Sequence, residues 1–152
     1  AHTPGLFVVI PATPFEAKGL LASALRQDNP VVFMEPKRVY RAIKEDVPDE
    51  EYTIPLGKAR VVNDGSDVTI VSWGSMLATV MQAFEEFKDK FSIEIIDIRT
   101  IYPLDVQTIV DSVKKTGRCV TNSSRIKKND VNIRCSSIWA GTTSAGSRKS
   151  AL

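Results

Sequence analysis

Hydrophobic and polar positions alternate in two periods along the chain. Leu6-Phe7-Val8-Val9-Ile10 is a short unbroken apolar run, the pattern of a strand buried on both faces. Pro11 ends it. Thr13, Pro14 and Glu16 then spell a helix start: a hydroxyl at the N-cap, a proline whose missing N–H would have been unpaired anyway, and a glutamate placed to complete a Thr-x-x-Glu capping box. The helix is expected from Pro14 to about Arg26, with Phe15, Leu20, Leu21, Ala24 and Leu25 mostly on one side and Asp28-Asn29-Pro30 as its stop. Val31 to Met34 supplies a second buried strand, which makes a β-α-β unit with parallel strands.

From Glu35 to Ser66 the period is lost. Pro36, Pro48 and Pro55 interrupt it and Lys44 to Glu51 is acidic, so an extended connector packed along a surface is expected. Regular structure resumes with a strand at Val68 to Ser72 and a Trp73-Gly74-Ser75 turn, Ser75 being the expected N-cap. Met76, Val80, Ala83, Phe84 and Phe87 follow at helical spacing. A strand at Ile93 to Ile98, a turn at Tyr102-Pro103-Leu104 and a helix capped by Asp105 come next. That helix carries Val106, Ile109, Val110 and Val113 at i, i+3, i+4, i+7 and closes at Gly117. A third strand should begin at Cys119, giving the front half of a second parallel sheet.

Charge changes the picture only at the end of the chain. Ala1 to Val120 carries 14 basic and 17 acidic side chains, whereas Thr121 to Leu152 carries 6 and 1, with seven serines and no amphipathic period. An acidic body with a basic tail follows, and disorder is the default for the tail. No run approaches the roughly 18 apolar residues of a membrane span, and the start lacks a signal-peptide pattern, so an intracellular, soluble protein is expected. Cys119 and Cys135 make no disulfide framework, and with His2 as the one histidine they cannot furnish a four-ligand zinc site. Free thiols are the expectation.

Three segments are denser in information than any periodicity. They are Glu35-Pro36-Lys37-Arg38-Val39-Tyr40-Arg41, Tyr52-Thr53-Ile54-Pro55-Leu56-Gly57-Lys58-Ala59, and Asp97-Ile98-Arg99-Thr100-Ile101-Tyr102-Pro103-Leu104-Asp105. With Pro4-Gly5-Leu6 and Ala17-Lys18-Gly19-Leu20-Leu21, they resemble the β subunit of thiamine-diphosphate-dependent 2-oxoacid dehydrogenases, the decarboxylating component. The resemblance covers about Ala1 to Val120. It implies an α/β fold in pieces: residues 1–35 as part of a parallel-sheet pyrimidine-binding domain, 36–66 as a long connector, and 67–120 as the front half of a transketolase C-terminal-like α/β domain. Residues 121–152 depart from the family and read as a shifted frame or an unrelated extension. A second domain with half its sheet leaves open strand edges and an uncovered apolar helix face, so the chain alone is expected to be marginal or aggregation-prone.

The resemblance also implies chemistry. Such enzymes decarboxylate a 2-oxoacid on thiamine diphosphate, held with magnesium mainly by the α subunit, and pass the acyl group to a lipoyl-acyltransferase core. The β subunit's cofactor-activating glutamate and His-Ser-Gln motif are expected upstream of Ala1, so no catalytic or cofactor-binding residue is assigned here. His2 matches a turn that follows the histidine motif and is expected to be structural. Glu35 ends a strand, where ligand sites gather in open sheets, but is expected to pair with Lys37 or Arg38. Asp97 and Arg99 are expected at domain and subunit contacts. Gly65, Gly74 and Gly117 form no nucleotide fingerprint, and the Ser75 helix start is a generic anion site at most.

One metal site is implied. Family members hold a monovalent cation, potassium, through main-chain carbonyls near the first helix end, and the matching positions here are Ala24, Leu25, Gln27 and Asn29. The expected substrate is a branched-chain 2-oxoacid, with pyruvate or a non-catalytic interaction remnant as alternatives. Expected partners are the α subunit, a second β subunit and the acyltransferase core, in the cytoplasm or the mitochondrial matrix. No membrane and no nucleic acid are expected, salt-dependent phosphate binding by the basic tail ranking last.

Overall fold

A computed structural model describes residues 3–121. His2, Cys135 and the expectations for the tail lie outside the described residues. The first β-α-β unit is formed by β1 (Phe7–Val9), α1 (Pro14–Leu25) and β2 (Val31–Phe33). The strands are parallel, with Phe7 opposite Val31 and Val9 opposite Phe33. Thr13 is the N-cap, its hydroxyl accepting from the Glu16 N–H at 3.3 Å. The other half of the capping box is absent. Glu16 accepts from the Ala12 N–H at 3.2 Å instead, because its carboxylate is drawn toward two arginines.

The buried stripe of α1 is not its most apolar one. Glu16, Gly19, Leu20 and Ser23 are buried at i, i+3, i+4, i+7, while Leu21 and Leu25 are exposed. The residues after a 3-10 turn at Lys37–Val39 decide this by crossing the Gly19 face. Tyr52 stacks on Phe15 with ring centroids 4.6 Å apart and donates its hydroxyl to the Phe15 carbonyl at 2.8 Å. The Ile54 N–H reaches the Gly19 carbonyl at 3.1 Å, and the Ser23 hydroxyl donates to the Ile54 carbonyl at 2.6 Å. Val9, Leu20 and Ile54 close a small core around this contact.

The second sheet has the order β3-β5-β4-β7. Its strands are β3 (Arg60–Asn63), β4 (Val68–Ser72), β5 (Ile93–Asp97) and β7 (Cys119–Thr121). β4 is parallel to both β5 and β7, whereas β3 is antiparallel to β5, so the sheet is mixed rather than purely parallel. β3 falls inside the stretch read as connector; with four residues and a register shift it leaves too little alternation to show in sequence. α2 (Ser75–Phe87) starts after Gly74, which holds φ +53°, and no side chain caps it. Ser75 is therefore the first helical residue and not the cap. The C-terminal helix α3 (Val106–Thr116) begins at Asp105, whose side chain accepts from the Thr108 N–H, and ends on left-handed Gly117 at φ +71°.

A short strand, β6 (Thr100–Tyr102), lies between the expected strand and the expected turn at Tyr102-Pro103-Leu104 and is not among the expected elements. It leaves the second sheet and pairs antiparallel with β1, so the first sheet has the order β2-β1-β6. The chain passes between the sheets in two residues, Ile98 and Arg99. The Ile98 N–H bonds the Ser72 carbonyl at 3.1 Å and the Arg99 carbonyl accepts from Ile10 at 2.8 Å. Arg99 sits at φ +53°, a left-handed conformation that costs a non-glycine residue about 1 kcal/mol or more. No helix among the described residues is long and apolar enough to cross a membrane.

Candidate functional site

The crossing between the sheets gathers the structure's most unusual chemistry. Glu16 is fully buried, and an ionised carboxylate in that position needs paired cations. Arg99 supplies one, with Nε 2.8 Å from Oε1, and Arg60 another, with Nη2 3.2 Å from the same oxygen. α1, β3 and the β5–β6 crossing are thereby tied at one side chain. Asp97 is also fully buried and takes the Arg99 N–H on Oδ1 at 3.2 Å. Burial, then the charge and hydrogen bonding of Glu16, push the Asp97 carboxyl up to about 8, against the Arg99 N–H and Arg60.

A neutral network supports the other side of the sheet. Thr69 on β4 meets the hydroxyls of Ser112 at 2.8 Å and Thr116 at 2.7 Å on α3, a satisfied buried triad. Lys115 holds Asp64 at 2.5 Å and also pairs with buried Glu94. These groups are partnered and structural.

The positions singled out in the sequence lie apart. Asp97 and Arg99 meet at the crossing. Glu35 lies beyond β2 beside an apolar cavity of about 220 Å³ lined by Ala12, Pro14, Ala17, Pro36 and Ile43. Its carboxylate accepts from the Tyr40 hydroxyl, so its partner is neither Lys37 nor Arg38; the 3-10 turn brings Tyr40 back over it, and that bond raises the tyrosine pKa. Ala24 and Leu25 form the last turn of α1, and Gln27 and Asn29 the exposed turn to β2. The Ala24 carbonyl accepts from the Gln27 N–H at 3.2 Å. Glu16 was read only as a capping glutamate and Arg60 was not singled out. Their signal was a lone acidic residue among apolar ones and an arginine opening a strand, which marks no particular partner.

Among the described residues no group of three or more His, Cys, Asp or Glu side chains can hold a metal ion.

Two families of domain account for this architecture. The transketolase C-terminal domain matches residues 57–135 and the transketolase pyrimidine-binding domain residues 1–43; the chain belongs to the transketolase family and has its α/β fold. The C-terminal match runs past Val120. A β subunit of 2-oxoisovalerate dehydrogenase, mitochondrial, from Dictyostelium discoideum is 55% identical over 121 residues, covering 78% of this chain and 33% of that protein. The β subunit of the pyruvate dehydrogenase E1 component from Staphylococcus aureus is 53% identical over 121 residues, 79% of this chain and 37% of the relative. The chain thus spans about a third of the length of these relatives. Among solved structures, an inactive β4 tetramer of a split-gene transketolase superposes with a TM-score of 0.66 at 24% identity, over 79% of this chain and 39% of that one. Transketolase from Leishmania mexicana gives 0.56 at 19%, over 78% and 18%. These two speak to the fold.

Proposed function

We propose that this chain is a stretch of the β subunit of a 2-oxoacid dehydrogenase, the component that decarboxylates a branched-chain 2-oxoacid and hands the acyl group to a lipoyl-acyltransferase. The observation that carries the reading is identity above half over 121 residues spanning both domains and the crossing between them. Thiamine diphosphate would supply the electron sink for loss of carbon dioxide. This chain's own residues build the scaffold: Glu16, Arg60 and Arg99 lock the pyrimidine-binding part to the C-terminal domain, and the strap at Tyr52–Ile54 holds α1 in place. Magnesium, the α subunit, a second β subunit and the acyltransferase core complete the proposed assembly, in the cytoplasm or the mitochondrial matrix. Pyruvate is the second substrate reading, because the pyruvate relatives stand only two points lower in identity.

Potassium at the end of α1 is part of the same proposal. The carbonyls of Ala24, Leu25, Gln27 and Asn29 would ligate it; a carbonyl has two lone pairs, so the Ala24 oxygen can accept from Gln27 and still face a cation. Potassium chloride should raise the melting temperature above that in choline chloride of equal ionic strength. Identical melts would remove the site.

The functional test is a chimera in which residues 1–121 replace their counterpart in the Staphylococcus aureus β subunit, co-expressed with its α subunit. It should assemble and release carbon dioxide from a 2-oxoacid, with the substrate preference following the host's own upstream segments and α subunit. Failure of a well-folded chimera to bind the α subunit would overturn the reading. The 152-residue chain alone, given thiamine diphosphate and magnesium, should show no turnover above background.

A further inference from the structure

The contact between the two sheets holds one more carboxyl than its cations serve. Ser72, Asp97 and Arg60 stand in register across β4, β5 and β3. Each keeps a buried polar atom with no hydrogen-bond partner among the described residues: Ser72 Oγ, Asp97 Oδ2 and Arg60 Nε. Both guanidinium groups are committed to Glu16 Oε1, and Glu16 Oε2 takes the Ala12 N–H. Asp97 receives a single N–H, on Oδ1. Were both carboxyls ionised, Asp97 Oδ2 would be a bare buried charge beside a second carboxylate, an arrangement that cannot persist without a proton.

We propose that Asp97 and Glu16 hold one proton between them, and that this shared proton fastens α1 to the carboxyl end of the second sheet, so that its release loosens the joint. The proton resides on Asp97, because Glu16 has two arginines and an N–H to stabilise its charge. Carried on Oδ2, it converts the unpartnered acceptor into a donor toward Glu16. The groups facing Asp97 from every packed element agree with this: Glu16 from α1, Arg60 from β3, Arg99 from the crossing and the uncharged Ser72 hydroxyl from β4. The elevation of Asp97 to about 8 has the same sign.

The joint is thereby sensitive to pH. Because the folded-state value is raised above the ordinary 3.8, the proton's contribution to stability is full below that ordinary value. It declines as pH rises toward about 8, and no further change follows above it.

Asp97→Asn tests this, since the amide is a permanently neutral donor of the same shape. The ratio of unfolding constants, wild type over variant, should rise about tenfold per pH unit across that window and flatten beyond it. At pH above the window, the Ile10 amide, which bonds the Arg99 carbonyl, should exchange faster in wild type than in the variant, and the difference should close as pH falls toward the ordinary 3.8. Measuring both proteins at one pH cancels the intrinsic exchange rate. A second measurement needs no stable variant: the carboxyl carbon of Asp97, followed by NMR in the wild-type chain, should titrate near 8. Parallel stability profiles, pH-independent differences in exchange, or a carboxyl titration near the ordinary 3.8 would each overturn the proposal.

Discussion

Asp105 shows how one side chain can carry several jobs. Its carboxylate accepts from the Thr108 N–H at 3.3 Å and the Thr108 hydroxyl at 2.8 Å, and also from the Ala59 N–H at 3.1 Å. It thus caps α3 and pins the strand-bound end of the strap. Burial would push its pKa up, but the hydrogen bonds from Thr108 and Ala59 prevail and hold the carboxyl below its ordinary value. A depressed folded-state value means stability that is present above 3.8 and lost as pH falls through the lower folded value. Asp105→Ala should cost about 1–2 kcal/mol near neutral pH, and urea titrations should show the gap closing in acid. An unchanged gap would deny the carboxylate its charge-dependent role. The helix cap was readable in the sequence, because Asp before a period-3.6 run is a local signal. The bond to Ala59 was not, since it joins residues with no local relation.

Among the elements, α1 departs most from its pattern. Leu21 and Leu25 read as core, yet they are exposed, and Gly19 lies against the strap. A β-carbon added at Gly19 would stand 2.7 Å from both Ile54 Cγ1 and Tyr52 Cε2. That is far inside van der Waals contact, so Gly19→Ala should destabilise by about 1–3 kcal/mol despite its better helix propensity. Chemical denaturation decides the sign; a stabilised variant would mean that the strap yields. Periodicity reports the apolar positions of a helix but not which of them face the protein. Here the strap's backbone needed a small residue and two polar side chains, and it took the weaker stripe. β3 and β6 escaped notice for a related reason, lacking an unbroken apolar run and owing their existence to partners far away in sequence.

For the molecule as a whole, the balance of covered and uncovered surface governs behaviour. Val106 and Val110 on α3, Leu104 before it, and Val32 and Met34 at β2 are all exposed. Among the described residues the three-stranded sheet ends on β2, a strand edge of the kind that invites pairing. The chain alone should therefore unfold broadly and associate as concentration rises. Calorimetry and light scattering over a concentration series would test this; a sharp, reversible, concentration-independent transition at high temperature would count against it.

Local grammar was enough for α1, α2, α3, β1, β2, β4, β5 and the start of β7, because apolar runs, prolines and caps act over a few residues. Dense motifs were enough for the family. What sequence could not show was the transfer of β6 to the first sheet, the strap over Gly19, and the meeting of Glu16 with Arg60, Asp97 and Arg99. Glu16 and Arg99 stand 83 positions apart. Charges that distant share no period or propensity, and the low dielectric that compels them to pair, and one of them to keep its proton, exists only once the two sheets have closed on each other.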